Sequence, residues 1–265
     1  YSLSLKAEKS FDFGLDLAAS YTFTQSKSLC PATSSQASSN WNNTSTYRFS
    51  NAPELGYSAY NLPHMIKASA FYRFHIANNK NFTTTIGVIY QGRSGSPYSM
   101  LYSGDLNGDN GRGNDLMFIP TDEQIDLMPF KAQGNYTEEL QRQNLKAWLA
   151  KTPYLKDHRG EYFKRNADNL PFENHFDFHV AEKMSVKVGK QVHSLELSLD
   201  ILNVGNLLNK DWGRTYGTTY SNELISPLTY DGGKFQFLST PDYVIKYPQS
   251  YYSRWRGQLG LKYTF

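Results

Sequence analysis

Three features of the sequence predict an all-β fold, a transmembrane antiparallel β-barrel: seven segments in which apolar and polar residues alternate, an aromatic content of 15%, and a strict alternation of short and very long connections. The 20 Tyr and 16 Phe lie in a chain whose hydrophobic fraction is only 39% and whose mean hydropathy is -0.58. No apolar run approaches the roughly 18 residues that mark a spanning helix. A spanning strand tolerates this composition, because it needs only about 9–11 residues and only alternate side chains must be apolar.

The segments fall into three hairpins and a closing strand. Leu3, Leu5 and Ala7 precede Leu15, Leu17, Ala19, Tyr21 and Phe23 across a turn near Ser10, Phe11 and Asp12. Ile66, Ala68, Ala70, Tyr72 and Phe74 are separated from Phe82, Ile86, Val88 and Tyr90 by the polar run Asn78, Asn79, Lys80 and Asn81. Phe176, Phe178, Val180, Met184, Val186 and Val188 alternate with Asp177, His179, Lys183 and Lys187, and a turn around Gly189, Lys190 and Gln191 follows. After that turn Leu195, Leu197, Leu199 and Ile201 alternate with Ser194, Glu196, Ser198 and Asp200. The last strand puts Trp255, Leu259, Leu261, Tyr263 and Phe265 on one face and Arg254, Arg256, Gln258, Lys262 and Thr264 on the other. Such strands require an apolar medium on one side and water on the other.

The remaining connections are long: about 40 residues from Gln25 to Pro63, about 80 from Gln91 to Asn174 and about 50 from Gly205 to Ser253. Loops beyond about 12–15 residues are uncommon in compact soluble domains and usually carry function. Barrels of the outer membrane combine short turns at one end with long extracellular loops at the other. A soluble sandwich has no reason to collect every long loop at one end. The Ser, Asn and Thr content of the stretch from Ser26 to Thr46 marks a flexible loop tip. One short helix is expected from Thr137 to Ala150, with Thr137 as N-cap, Glu138 and Glu139 in the first turn, and Leu140, Leu145, Trp148 and Leu149 as its packing face. Parity adds a further expectation. Seven strands begin and end on opposite sides, whereas single-chain bacterial barrels generally have an even number. Residues 1–265 are therefore expected to be the carboxy-terminal portion of a barrel domain, which would not fold alone.

The net charge of +3, from 27 basic and 24 acidic residues, argues against a nucleic-acid surface. Cys30 is the single cysteine and is read as an unpaired loop residue. With no nucleophile elbow, HExxH or phosphate-binding glycine loop, no enzyme is expected. In the longest loop, Asp105, Asn107 and Asp109 place oxygen-bearing side chains at alternate positions, with Asn114 and Asp115 close behind. That set suits a structural Ca²⁺, which takes six to eight oxygens, although the sixth position is Asn110 rather than Gly and the twelfth is Leu116 rather than Glu. Self-bonded Asx turns stiffened by glycine account for the same residues without metal. His175, Asp177 and His179 share a strand face, but residues two apart on a strand are about 7 Å apart, and a polar lumen explains them better than a metal. Tyr251, Tyr252, Trp255, Tyr98 and Tyr102 are read as girdle aromatics near the outer strand ends, in preference to ligand contacts.

The closing segment Arg254-Trp-Arg-Gly-Gln-Leu-Gly-Leu-Lys-Tyr-Thr-Phe265 resembles the last strand of outer-membrane proteins. Leu199-Asp-Ile-Leu-Asn-Val-Gly-Asn-Leu-Leu-Asn-Lys210 resembles the penultimate-strand segment of TonB-dependent receptors, with Leu208 where Phe is usual. The stretches Gly92-Arg-Ser-Gly-Ser-Pro-Tyr98, Tyr102-Ser-Gly-Asp-Leu-Asn-Gly-Asp-Asn-Gly-Arg-Gly-Asn-Asp-Leu-Met-Phe-Ile-Pro120 and Tyr154-Leu-Lys-Asp-His-Arg-Gly-Glu-Tyr-Phe-Lys-Arg-Asn166 are similar to the Oar-like subgroup of those receptors, common in Bacteroidetes. The resemblance implies a 22-stranded barrel in the bacterial outer membrane that encloses a plug, is energised by TonB and imports a substrate the sequence does not identify. It also implies partners: outer-membrane lipid, the amino-terminal part of the same barrel and its plug, TonB through a region outside these residues, and a surface lipoprotein. The alternatives are a non-transporting accessory or assembly barrel and a secreted all-β binding module.

Overall fold

The seven alternating segments form one antiparallel sheet in chain order. In the computed structural model, which describes all residues except 33, 53, 112, 219–223, 239–246 and 249, its strands are β1 (Ser2–Ser10), β2 (Leu15–Thr24), β3 (His64–Phe74), β4 (Phe82–Arg93), β5 (Glu173–Val188), β6 (Gln191–Leu202) and β7 (Arg256–Thr264). β1 and β7 lie at the two edges. The β5–β6 turn is the tightest: Val188 pairs with Gln191, and Gly189 takes a φ of 64°, a left-handed conformation that glycine adopts at no steric cost.

Register keeps the two faces chemically distinct across the whole sheet. Leu5 faces Tyr21, Tyr21 faces Ile66, Ala70 faces Val88, Val88 faces Phe178, and Phe178 faces Ile201. At the far edge Leu197 meets Leu261 and Leu199 meets Leu259. The opposite face carries Lys67 against Gln91, His179 against Asp200, and Asp200 against Gln258. A one-residue slip at any ladder would exchange the faces of everything beyond it. Two aromatic rows bound the apolar face. Tyr1, Phe23, Tyr21 and His64 cluster at the long-loop end, while Phe13, Tyr72 and Phe74, and on the last strand Tyr263 and Phe265, cluster at the short-turn end. Glu182 is an exception on the apolar face, and the Thr84 hydroxyl donates to its Oε2 at 2.5 Å. On the polar face a Cβ at Gly87 would fall 2.3 Å from Phe71 Cε1, so the Phe71 ring occupies the space the glycine leaves open.

The hydrophobic core lies outside this wall. Among the described residues Ala181 is the one buried apolar residue of the seven strands, whereas Tyr98, Met100, Met117, Ile119, Phe130, Trp148, Phe163, Leu228 and Phe237 are all within 3% of complete burial. These residues come from the two longer connections, which fold together into a cap. Its four-stranded sheet runs in the order Lys234–Gln236, Leu224–Asp231, Pro97–Ser103, Asp168–Asn169, with a parallel pairing between Leu224–Asp231 and Pro97–Ser103.

The expected helix spans Glu138–Lys151, and the Thr137 hydroxyl accepts from the Leu140 N–H at 3.1 Å. Its packing face includes Leu145, Trp148 and Leu149, but Leu140 is 38% exposed and Gln141 is fully buried in its place. Gln141 is tolerated there because its amide is satisfied: Nε2 donates to the Lys131 and Tyr136 carbonyls, and Oε1 accepts from Phe237 N–H. The expectation of a single helix in the long loops is corrected. Asp122–Leu127, closed by a Thr121/Gln124 capping box, and Pro153–Asp157 pack beside it, and Ala37–Asn42 lies in the first long connection. Short helices of four to six residues escape a periodicity reading, since one turn carries no repeat.

Two tests follow from this division. Val88→Lys, at mid-height on the apolar face, should cost the wall about 2–4 kcal/mol in reversible unfolding of the full protein in lipid vesicles, while Gln258→Lys on the polar face should stay within about 0.5 kcal/mol. Trp148→Ala should destabilise the cap by about 3–5 kcal/mol, seen as faster proteolysis within residues 94–172 while the heat-modifiable gel migration of the barrel persists.

Candidate functional site

The first long connection, 25–63, is seated on the second through Arg165. Lys27–Ser28 pairs with Gly56–Tyr57, and the Arg165 side chain passes beneath this small ladder. Its guanidinium donates to the carbonyls of Leu29 at 2.8 Å, of Ser28 and of Glu54, while the Tyr57 N–H donates to the Arg165 carbonyl at 3.2 Å. A Cβ at Gly56 would sit 2.9 Å from Arg165 Cβ and Nε, so the approach depends on that glycine. Arg165 is 7% exposed, and burial lowers its pKa from the ordinary arginine value.

Above this clamp is a cavity of about 600 Å³ lined by Lys27, Tyr47, Glu54, Tyr57, Tyr162 and Lys164, among others. Tyr47 and Tyr162 stack with centroids 4.7 Å apart, and Lys27 Nζ lies 5.3 Å from the Tyr57 centroid. The Tyr47 hydroxyl donates to Glu54 Oε1 at 2.5 Å, and this bond raises the phenol's pKa, keeping it protonated and anchored. Aromatic faces flanked by both signs of charge can hold a sugar ring or a short peptide. Tyr47, Tyr57 and Tyr162 come from two separate connections, so no spacing within either one marks them.

The Asp/Asn/Gly turn is stitched to the same first connection. Asp105 accepts from the N–H groups of Gly108 at 2.8 Å and Asn110 at 3.0 Å, Asn107 Oδ1 accepts from Asp109 N–H at 2.9 Å, and Asp109 Oδ1 accepts from Gly111 N–H at 2.8 Å. Asp109 Oδ2 accepts from both the N–H and the hydroxyl of Ser50, at 2.7 and 2.6 Å. Burial pushes the Asp109 carboxyl up, but the bonds from Ser50, Gly111 and Asn107 outweigh it and leave its pKa below the ordinary carboxylate value. Asp115 Oδ2 accepts from Leu106 N–H at 2.5 Å, and Asn114 Nδ2 donates to Ser50 Oγ at 3.1 Å. Burial, followed by the charges of Asp109 and Asp105, holds the Asp115 carboxyl above its ordinary value despite the two N–H bonds it accepts. Among the described residues no group of three His, Cys, Asp or Glu side chains converges as a metal site. Asp105, Asn107 and Asp109 form Asx turns, Asn114 and Asp115 are tied to Ser50 and to the Leu106 and Asn107 N–H groups, and Thr46 is bonded through its backbone to Asn114 and Leu116.

His175, Asp177 and His179 share the polar face but have separate partners. His179 Nδ1 is 2.7 Å from Asp200, Asp177 accepts from Asn203 N–H at 2.7 Å, and His175 Nε2 lies 3.3 Å from the Thr215 hydroxyl. Tyr251, Tyr252 and Trp255 are exposed beside the upper rim. The girdle reading of Tyr98 and Tyr102 is corrected: both lie on Pro97–Ser103 inside the cap, 1% and 3% exposed. Tyr98 donates to Asp168, and its pKa is raised by burial and by that carboxylate. Cys30 is a free thiol beside Thr44. The flexible-tip reading of Ser26 to Thr46 is corrected at its end, where Thr44, Ser45 and Thr46 are buried.

Replacing Arg165 with Met removes the donors of three loop carbonyls. The expected outcome is a loss of about 2–3 kcal/mol of local stability, read as faster amide hydrogen exchange at Tyr57 and Ser58, with exchange in β4 and β5 unchanged.

The wall and cap agree with comparison to known families. No curated protein and no solved structure matches the chain. The family model for an outer membrane beta barrel domain matches residues 1–223, a span that covers six of the seven wall strands and the whole 94–172 segment of the cap. With an apolar face bounded by aromatic rows and a polar face behind it, the chain belongs to this outer membrane β-barrel family and resides in the bacterial outer membrane.

Proposed function

We propose that the chain is the carboxy-terminal part of a TonB-dependent outer-membrane transporter, and that its cap contributes to capturing a substrate before inward release. The observation that carries this reading is the cavity of about 600 Å³ where the first connection meets the cap, lined by stacked Tyr47 and Tyr162 and by groups of both charges. A wall needs no such recess to span a membrane. The resemblance of the 92–120 and 154–166 stretches to Oar-like receptors supports the finer assignment, because those stretches build the Pro97–Ser103 strand and carry Arg165.

The open edges of the sheet support the placement within a larger barrel. Among the described residues β1 and β7 are each paired on one side, and a row of unpaired backbone groups is not left facing lipid. The remaining strands, a plug, TonB and a surface lipoprotein are the partners of this reading, and no catalytic step belongs to it.

The test is uptake. With the parent gene expressed from its native start, the protein should show heat-modifiable migration in the outer-membrane fraction, and accumulation of its substrate should stop when TonB is inactivated. A folded barrel whose loss changes no TonB-dependent uptake would instead establish the accessory-barrel reading.

A further inference from the structure

The turn at residues 105–115 contains two oxygens that its own hydrogen bonds leave out. Asn114 and Asp115 are 1% and 2% exposed, and Asn114 Oδ1 and Asp115 Oδ1 are buried with no hydrogen-bond partner. A buried acceptor left unmatched costs about 1–3 kcal/mol, more when charged, and calls for a physical cause such as an ion. Both side chains are directed into the turn. The other oxygen of Asp115 is held by Leu106 and Asn107 N–H, and a Cβ at Gly111 would lie 2.4 Å from Asn114 Nδ2 and 2.8 Å from Asp109 Oδ1. Charge points the same way. Asp105 and Asp109 both place like charge against the Asp115 carboxylate, which a bound cation would offset.

We propose that this turn binds one Ca²⁺, with Asp105, Asn107, Asp109, Asn114 and Asp115 as its side-chain oxygen donors. The hydrogen bonds already present leave acceptor capacity for the ion: each Asp105 oxygen and Asp109 Oδ1 accept a single N–H, and Asn114 Oδ1 and Asp115 Oδ1 accept none. The three carboxylates do not converge by themselves, so binding draws Asp105 and Asp109 in toward the unmatched Asn114 and Asp115 oxygens, with Asn107 and water completing the six to eight donors that Ca²⁺ takes. The two departures from a helix-loop-helix calcium loop are also accounted for. Asn110 adopts a φ of 65°, the bend glycine usually provides, and Asp115 reaches the turn one residue before the buried Leu116. Bound there, the ion fastens the cap to the first connection, because Ser50 and Arg48 are bonded to the same side chains. This role is independent of what the barrel carries.

The experiment uses the full protein in detergent, stripped with EDTA and titrated with CaCl₂ or MgCl₂, with bound metal counted and hydrogen exchange followed at residues 44–50 and 105–115. Expected are at least tenfold slower exchange of both segments in Ca²⁺ than in Mg²⁺, and the loss of one Ca²⁺ per chain in Asp105→Asn/Asp115→Asn, with heat-modifiable migration retained. If that variant does not fold, the exchange of the wild-type protein decides. Equal exchange in Ca²⁺ and EDTA, an equal response to Mg²⁺, or an unchanged Ca²⁺ count in the folded variant would overturn the proposal.

Discussion

Each wall strand has to satisfy its backbone N–H and C=O groups from its neighbours, because the medium outside it offers no hydrogen bonds. The rest of the architecture depends on this requirement. It forces a continuous ladder from β1 to β7 and fixes the register at every step. It also frees the side chains from forming a core, since one face is solvated by lipid and the other by water. Val88 at 41% exposure and Leu261 at 73% are in their proper environment on an apolar outer face, where in a soluble protein they would be liabilities.

The cap obeys the opposite rule. It stands in water on the extracellular side and buries its apolar side chains as any soluble domain does, around Trp148, Phe130 and Phe163. Several of its polar interior groups are matched individually, as with Gln141 against three backbone groups and Asn166 Nδ2 against the Tyr57 carbonyl. Two stability mechanisms therefore meet in one chain, joined where Arg93 of β4 pairs with the 1%-exposed Glu173 of β5 at 2.8 Å.

The wall was legible in the sequence because its information is local. A period of two is visible in any ten residues, and the alternation through Leu195–Ile201 or Trp255–Phe265 needs no partner to be read. The cap was not legible in the same way. Tyr98 and Tyr102 look like rim aromatics until the distant Leu224–Asp231 strand is laid beside them. Gln141 looks like a surface residue because its three partners come from elsewhere in the cap. Arg165 lay within a recognisable motif, but its role depends on carbonyls more than a hundred residues away. The Asp/Asn turn was recognisable by composition, whereas its seam with Ser50 was not.

The feet of the cap stand on neighbouring strands: residues 94–172 leave the wall at Arg93 and return at Glu173, which are paired to each other across one ladder spacing of about 5 Å. The β4–β5 ladder thus holds the two ends of this segment together, so the wall itself closes a long loop that the cap would otherwise have to close by its own contacts.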